Sequence, residues 1–178
     1  VYFYTLGDRF WNARKSLGDP MQAVARDFGL GDSAGIELAG EADGRVPDPS
    51  SRRKLHDQHP EAFPEGNWYP GDNVNLAIGQ GDTLVTPIQE AMIYGALANG
   101  GTEYVPTIGK AIVSADGKTV TEIKPKVRAR LPISQAPHAG MDKALAGVIT
   151  SGTAAWKFGG WPKDKIELHA KTGTAEVY

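Results

Sequence analysis

WYPGDNVNLAIGQGDTLVTPIQEAMIYGALANGGTEYVP, residues 68–106, is the stretch whose reading decides the fold. Thr86-Pro87-Ile88-Gln89 has the form of a capping box. The threonine hydroxyl can accept from the glutamine N–H, the glutamine side chain can reach back, and proline takes the first helical position. Ile88, Met92, Gly95, Ala96 and Asn99 continue at helical spacing, and Asn99-Gly100-Gly101 stops the helix. Small residues on this helix predict close packing against neighbours. Upstream, Gly79-Gln80-Gly81-Asp82-Thr83 resembles a phosphate loop only in its glycines. It lacks the Gly-Lys-Ser/Thr ending a nucleotide site needs, and reads as a tight turn leading to the Thr86 cap.

Towards the N-terminus, Phe3, Leu6, Phe10, Ala13 and Leu17 recur at spacings of three and four, closed by Gly18. Asp19-Pro20 then starts a second helix with Met21, Val24, Ala25 and Phe28 on its apolar face, ended by Gly29. A helical hairpin is predicted. From Gly40 to Gly71 five prolines punctuate a polar region that reads as one long loop. Towards the C-terminus, Asp116-Gly117 between two short runs in 108–124 predicts a β-hairpin. Met141, Leu145, Val148 and Ile149 predict a helix ending near Gly152. Ile166 to Val177 alternates and reads as a strand.

The 178 residues suffice for one domain with a core. Apolar residues make up 40% and charged residues 22%, a globular composition. A net charge of −2, with no long basic block, argues against nucleic acid or anionic lipid as a partner. The absence of cysteine excludes disulfides and thiolate chemistry. No apolar run approaches the length of a membrane span. The first residue is Val1, and Val1-Tyr2-Phe3-Tyr4 reads like the middle of a packed element.

Four groups could carry chemistry. Lys171-Thr172-Gly173-Thr174 combines a cation, two hydroxyls and a glycine that lets another backbone approach. Such a run suits a peptide substrate ending in a carboxylate, and equally an ordinary edge strand blunted by lysine. Ser51-Arg52-Arg53-Lys54 has the Ser-x-x-Lys spacing of an activated serine, but two arginines and nearby prolines mark a solvated stretch where lysine keeps its proton. His56 and His59, with Glu61 nearby, resemble metal ligands, yet Pro60 breaks the helix that would align them, and no metal is expected. His169 falls on the face of Lys171 and could be a base or a packing residue.

Taken in order, these stretches resemble the transpeptidase domain of class B penicillin-binding proteins, above all the elongation type called penicillin-binding protein 2. The resemblance rests on Trp68 to Pro106, with its Gly-Gln-Gly, Thr-Pro-x-Gln and Ala-Asn-Gly-Gly series. It extends to GIELAGEADGRVPD (Gly35 to Asp48), Gly152-Thr153-Ala154 and Lys171-Thr172-Gly173-Thr174. It implies an α/β (α+β) fold, helices packed on an antiparallel sheet, with this chain mostly helix and loop. It implies a serine acyl-transfer enzyme of cell-wall synthesis that uses D-Ala-D-Ala stem peptides, is acylated by β-lactams, and needs no cofactor. A catalytically silent relative that binds β-lactam or peptidoglycan is the alternative.

By the same resemblance, Lys171 supplies positive charge near the donor's terminal carboxylate, and the Thr172 and Thr174 hydroxyls bind it. Gly173 leaves room for the substrate backbone, and the Thr174 N–H is one oxyanion donor. Val1-Tyr2-Phe3-Tyr4 resembles the residues that directly follow the family's Ser-x-Asn motif. Residues 1–178 are therefore expected to be a partial domain, starting after that motif and ending in the Lys-Thr-Gly strand, with the nucleophilic serine elsewhere. Missing parts of the same domain, and the cell-elongation machinery, are the further partners implied. The implied location is the outer face of the bacterial cytoplasmic membrane, reached through an N-terminal anchor.

Overall fold

The computed structural model describes residues 1–131, 133–162 and 164–174. Helices α1 (Tyr2–Leu17) and α2 (Pro20–Asp27) form the predicted hairpin, turned at Gly18 with φ 69°. Pro20 takes the first helical position of α2, but the Asp19 side chain makes no cap hydrogen bond. The expected apolar faces are only partly buried. Leu6, Phe10 and Ala13 are half-buried, while Phe3, Leu17 and Val24 are exposed. The most buried residue of α2 is Gln22, 1% exposed, with neither amide atom hydrogen-bonded.

The region from Gly40 to Gly71 is not one loop. It contains α3 (Pro49–Gln58) and leads into α4 (Pro70–Leu76). Asp48 caps α3: its Oδ1 accepts the Ser51 N–H at 2.7 Å, and the Ser51 hydroxyl accepts the Asp48 N–H at 2.8 Å. Asp72 closes the first turn of α4 by accepting the Tyr69 N–H at 2.8 Å. Both helices begin with proline at N1, a start signal that the density of prolines obscured.

Helix α5 (Pro87–Ala98) starts on the predicted capping box, with Thr86 N–H to Gln89 Oε1 at 2.8 Å and Gln89 N–H to Thr86 Oγ1 at 3.3 Å. It leads into β1 (Thr102–Tyr104). The Asp116-Gly117 hairpin is present as β2 (Ala111–Val113) and β3 (Thr119–Glu122), with Gly117 at φ 81°. Strand β4 (Val127–Arg130) returns antiparallel to β1, so the described strands form two two-stranded sheets. Helix α6 (Gln135–Thr150) follows.

The predicted strand over Ile166–Val177 is not found in its described part. Residues 166–174 have no ladder, and 175–177 lie outside the described residues. Alternation suits a strand only where a neighbour takes its N–H and C=O groups. Here the Ala170 N–H goes instead to Leu145 O of α6, at 3.2 Å.

Buried apolar residues among those described are few: Ala34, Val46, Trp68, Ala96, Leu131 and Ile149. The close packing foreseen for the small residues of α5 holds for Ala96 at 1% exposure but not for Gly95, which has nothing within 4 Å of an added Cβ. The tight crossing is between α1 and α4. An added Cβ at Gly7 would lie 2.9 Å from Ala77 Cβ and 3.0 Å from Asn73 O, and Asn73 Nδ2 donates to Gly7 O at 2.7 Å.

Two measurements test this packing. Gly7→Ala is expected to destabilise the chain by about 1–3 kcal/mol because the helices must separate. Gly95→Ala is expected to stabilise it by about 0.5–1 kcal/mol through helix propensity. Thermal unfolding showing both shifts with the same sign would contradict the crossing. The second measurement concerns Asp48. Burial pushes its carboxyl up, but hydrogen bonds from the Ser51 N–H, the Ser50 hydroxyl and Arg26, together with the Arg26 charge, outweigh this and hold it below its ordinary 3.8. A lowered native value means the carboxylate's contribution is full above the unfolded value and is lost as pH falls through the native one. Asp48→Asn keeps a cap and loses the ion pair, whose Arg26 side chain is half exposed. It should cost about 0.5–1 kcal/mol at pH 7, and less in denaturant titrations below pH 3.8.

Candidate active site

Lys171, Thr172 and Gly173 line an open cavity of about 640 Å³. Its lining also includes Val85 before α5, Glu90, Ile93 and Tyr94 on α5, and Ile78 after α4. All of Lys171–Thr174 is exposed, so neither threonine is sealed in an apolar interior. Lys171 Nζ donates to the Thr172 carbonyl at 2.6 Å. The lining therefore combines a lysine, a threonine and the Glu90 carboxylate with apolar rings and chains, a mixture suited to a peptide with polar groups.

The segment is fastened by side chains in place of a ladder. His169 Nδ1 lies 3.0 Å from Asp142 Oδ1 of α6. Glu167 Oε1 is 3.3 Å from Nε2 but outside hydrogen-bond alignment. His169 lines the same cavity as Lys171, but so do Ala170 and Thr172, so the shared lining does not come from strand alternation, and the His169 Nδ1 faces the Asp142 carboxylate. At the other end, Gln80 Nε2 donates to the Thr174 carbonyl at 2.8 Å.

Gly79–Thr83 is the expected turn, with Gly79 at φ 72° and Gly81 at φ 75°. Its contact with Thr174 was not foreseen. The only signal was a long amide side chain isolated between two glycines, where no neighbour competes for it. Asp142 was likewise missed, because it lies on the polar side of a helix read by its apolar face.

The other candidates lie apart from this cavity. Ser51 spends its hydroxyl on the α3 cap, so Ser51 and Lys54 belong to a helix start, as the solvated reading had it. His56 Nδ1 is 2.8 Å from Phe63 O, and His59 ends α3. Among the described residues no cluster of three or more His, Cys, Asp or Glu could hold a metal ion. Among the described residues no serine lines the cavity.

Arg52 supports the turn from behind. Its guanidinium pairs with Asp82, and lies 3.5 Å from the α4-capping Asp72. These charges are about four-fifths buried, so the pairing ties α3, α4 and the Gly79–Thr83 turn together.

Comparison with known proteins agrees with this architecture. Residues 10–178 match the family model described as "Penicillin binding protein transpeptidase domain". The peptidoglycan D,D-transpeptidase MrdA of Acinetobacter baumannii is 29% identical over 178 residues, covering 99% of this chain and 24% of that protein. The chain thus spans about a quarter of the length of the curated relatives it matches. A solved peptidoglycan synthase complex, described as coordinating polymerization and crosslinking, superposes with TM-score 0.69 at 28% identity, over 98% of this chain and 27% of that one. The Helicobacter pylori penicillin-binding protein (PBP2) solved with MreC superposes with TM-score 0.62 at 26% identity, over 99% of this chain and 28% of that one. The α/β fold is that of these transpeptidases, and the chain belongs to the penicillin-binding protein transpeptidase domain family.

Proposed function

We propose that this chain is the substrate-gripping part of a serine D,D-transpeptidase of the elongation type. The observation that carries this reading is the exposed Lys171–Thr174 run, whose first three residues line an open cavity, within a chain of this family. The lysine and the two threonine hydroxyls suit the terminal carboxylate of a D-Ala-D-Ala stem peptide or the carboxylate of a β-lactam. Gly173 has nothing within 4 Å of an added Cβ, which leaves space for a substrate backbone.

In the proposed reaction a serine oxygen attacks the penultimate D-Ala carbonyl. The C–O ester bond forms, the C–N bond breaks, and terminal D-Ala leaves with the proton. An acceptor amine then attacks the ester, forming a new amide and restoring the serine. The Thr174 N–H stabilises the oxyanion in both steps. Removing one such donor typically costs about 3–4 kcal/mol in the transition state.

With no serine on the cavity wall, the nucleophile is assigned to a part of the parent protein outside these 178 residues. That parent is proposed to act at the outer face of the cytoplasmic membrane, with elongation-machinery partners of the kind the MreC complex exemplifies. No helix among the described residues is long and apolar enough to cross a membrane. The missing serine is equally compatible with a silent relative that binds β-lactam or peptidoglycan without reacting.

Labelled penicillin separates these readings. The 178-residue chain alone should show no covalent adduct by intact mass; a serine ester on it would overturn the assignment of the nucleophile. The intact parent should be acylated, and Lys171→Ala should slow that acylation on the order of a hundredfold. An intact parent that binds penicillin without forming an ester would be the silent relative. Wild-type acylation rates in the Lys171 variant would remove this lysine from the site.

A further inference from the structure

We propose that the cavity between the end of α1, the start of α3 and Trp68-Tyr69 is a second docking site for the substrate polymer, taking the free carboxylate of a stem peptide on an uncrosslinked glycan strand. It rests on the transpeptidase reading above, whose substrate class it extends. The cavity measures about 590 Å³ and shares no lining residue with that of Lys171. Three cations line it, Arg14 and Lys15 on α1 and Arg53 on α3. All three are exposed, and among the described residues none of them pairs with a carboxylate. Asp19 is the one carboxylate in the described lining. In a chain of net charge −2, this local excess of positive charge gathers anions.

Aromatic residues give the cations a fixed setting. Arg14 lies over the Trp11 ring, 3.7 Å from its centroid. An arginine held over an indole keeps the edge N–H groups that pair with a carboxylate, and has less freedom left to lose on binding. Tyr69 lines the same cavity and is 46% exposed, with its hydroxyl donating to Glu65 at 3.3 Å. Its ring offers a face against which the apolar side of a sugar can pack. Trp68 is 8% exposed, and its indole N–H makes no hydrogen bond among the described residues. Indole is a donor only, so the bond it lacks is one that a glycan or peptide oxygen supplies. Carboxylates and sugar rings together are what each unit of an uncrosslinked strand carries. Such a site need bind only weakly, because holding one stem presents its neighbours at an effective concentration on the order of millimolar.

The experiment uses the intact parent, its active site first blocked with penicillin, and soluble uncrosslinked glycan strands bearing stem peptides. Calorimetry should show binding that weakens as salt rises. Strands whose stem carboxylates have been converted to amides should bind about tenfold more weakly, and the double variant Arg14→Glu, Arg53→Glu should lose about tenfold or more for the acidic strands. Hydrogen–deuterium exchange should slow over residues 11–19, 49–53 and 67–69 when strands are bound. Equal binding of the amidated strands, wild-type affinity in the double variant, or slowed exchange only elsewhere would each overturn the proposal. Poly-glutamate bound as tightly as the strands would make this a site for acidic protein and overturn the glycan assignment. Should the double reversal lower the unfolding temperature, the neutral pair Arg14→Gln, Arg53→Gln decides: a loss of about threefold is expected, and none would overturn the site. Penicillin ester formation on the parent, read by intact mass, tests the enzyme separately. A parent that forms no ester would remove the transpeptidase reading, while strand binding lost in the double variant would still support the docking site.

Discussion

A single buried amide joins three segments of this chain, and the site is built on that junction. Gln89, 3% exposed, donates from Nε2 to both Asp32 O and Asp43 O at 2.8 Å, while Oε1 accepts the Thr86 N–H. Every hydrogen-bonding site used on that side chain is matched to backbone, and leaving those groups unpaired would cost about 1–3 kcal/mol each. The Arg45–Leu84 bridge runs alongside, with N···O distances of 2.6 and 3.0 Å. At Gly44, φ 68°, a Cβ would sit 2.5 Å from Leu84 O, so the two backbones meet only because that residue is glycine. The start of α5 is thereby fixed against the 32–45 segment, and α5 in turn supplies Glu90, Ile93 and Tyr94 to the cavity wall.

Features encoded locally were legible in the sequence. The Thr86 cap, the stop after α5, the α1–α2 turn and the Asp116-Gly117 hairpin each depend on residues within about four positions, and each was read. Helices α3 and α4 carry comparable local codes, in Asp48-Pro49-Ser50-Ser51 and Tyr69-Pro70-Gly71-Asp72, but a polar stretch punctuated by prolines also has the pattern of a loop. The tail was misread for a different reason. Alternation records which faces differ, and a strand exists only where a second strand supplies the ladder. The four residues of the Lys171–Thr174 run stand out by their chemistry and by family resemblance. Gln80 was not, because its partner is 94 residues away, and nothing local announces such a contact.

Polar clamps recur where apolar burial is thin. Glu103, 2% exposed, receives Arg128 Nη1 at 3.1 Å, and Arg128 Nη2 also donates to Ser33 O at 3.2 Å. The guanidinium fills the space beside Gly29, φ 76°, where a Cβ would be 2.0 Å from Nη1. Glu41 accepts the Ala34 and Gly35 N–H groups at 2.7 and 3.0 Å. These contacts specify which loop lies against which element. They add less to stability than their number suggests, since each exchanges water hydrogen bonds for internal ones.

Stability must come chiefly from apolar burial, and two of the six buried apolar residues among those described are alanines. Tyr2, Phe3, Ile112, Val120 and Trp156 are all more than half exposed. Such surface is what a larger assembly covers. The polar clamps therefore fix geometry more than they supply free energy. Residues 171–174 are exposed, and Gln80, Asp142 and Leu145 hold the described segment around them to elements that are themselves fixed by capping and ion pairs.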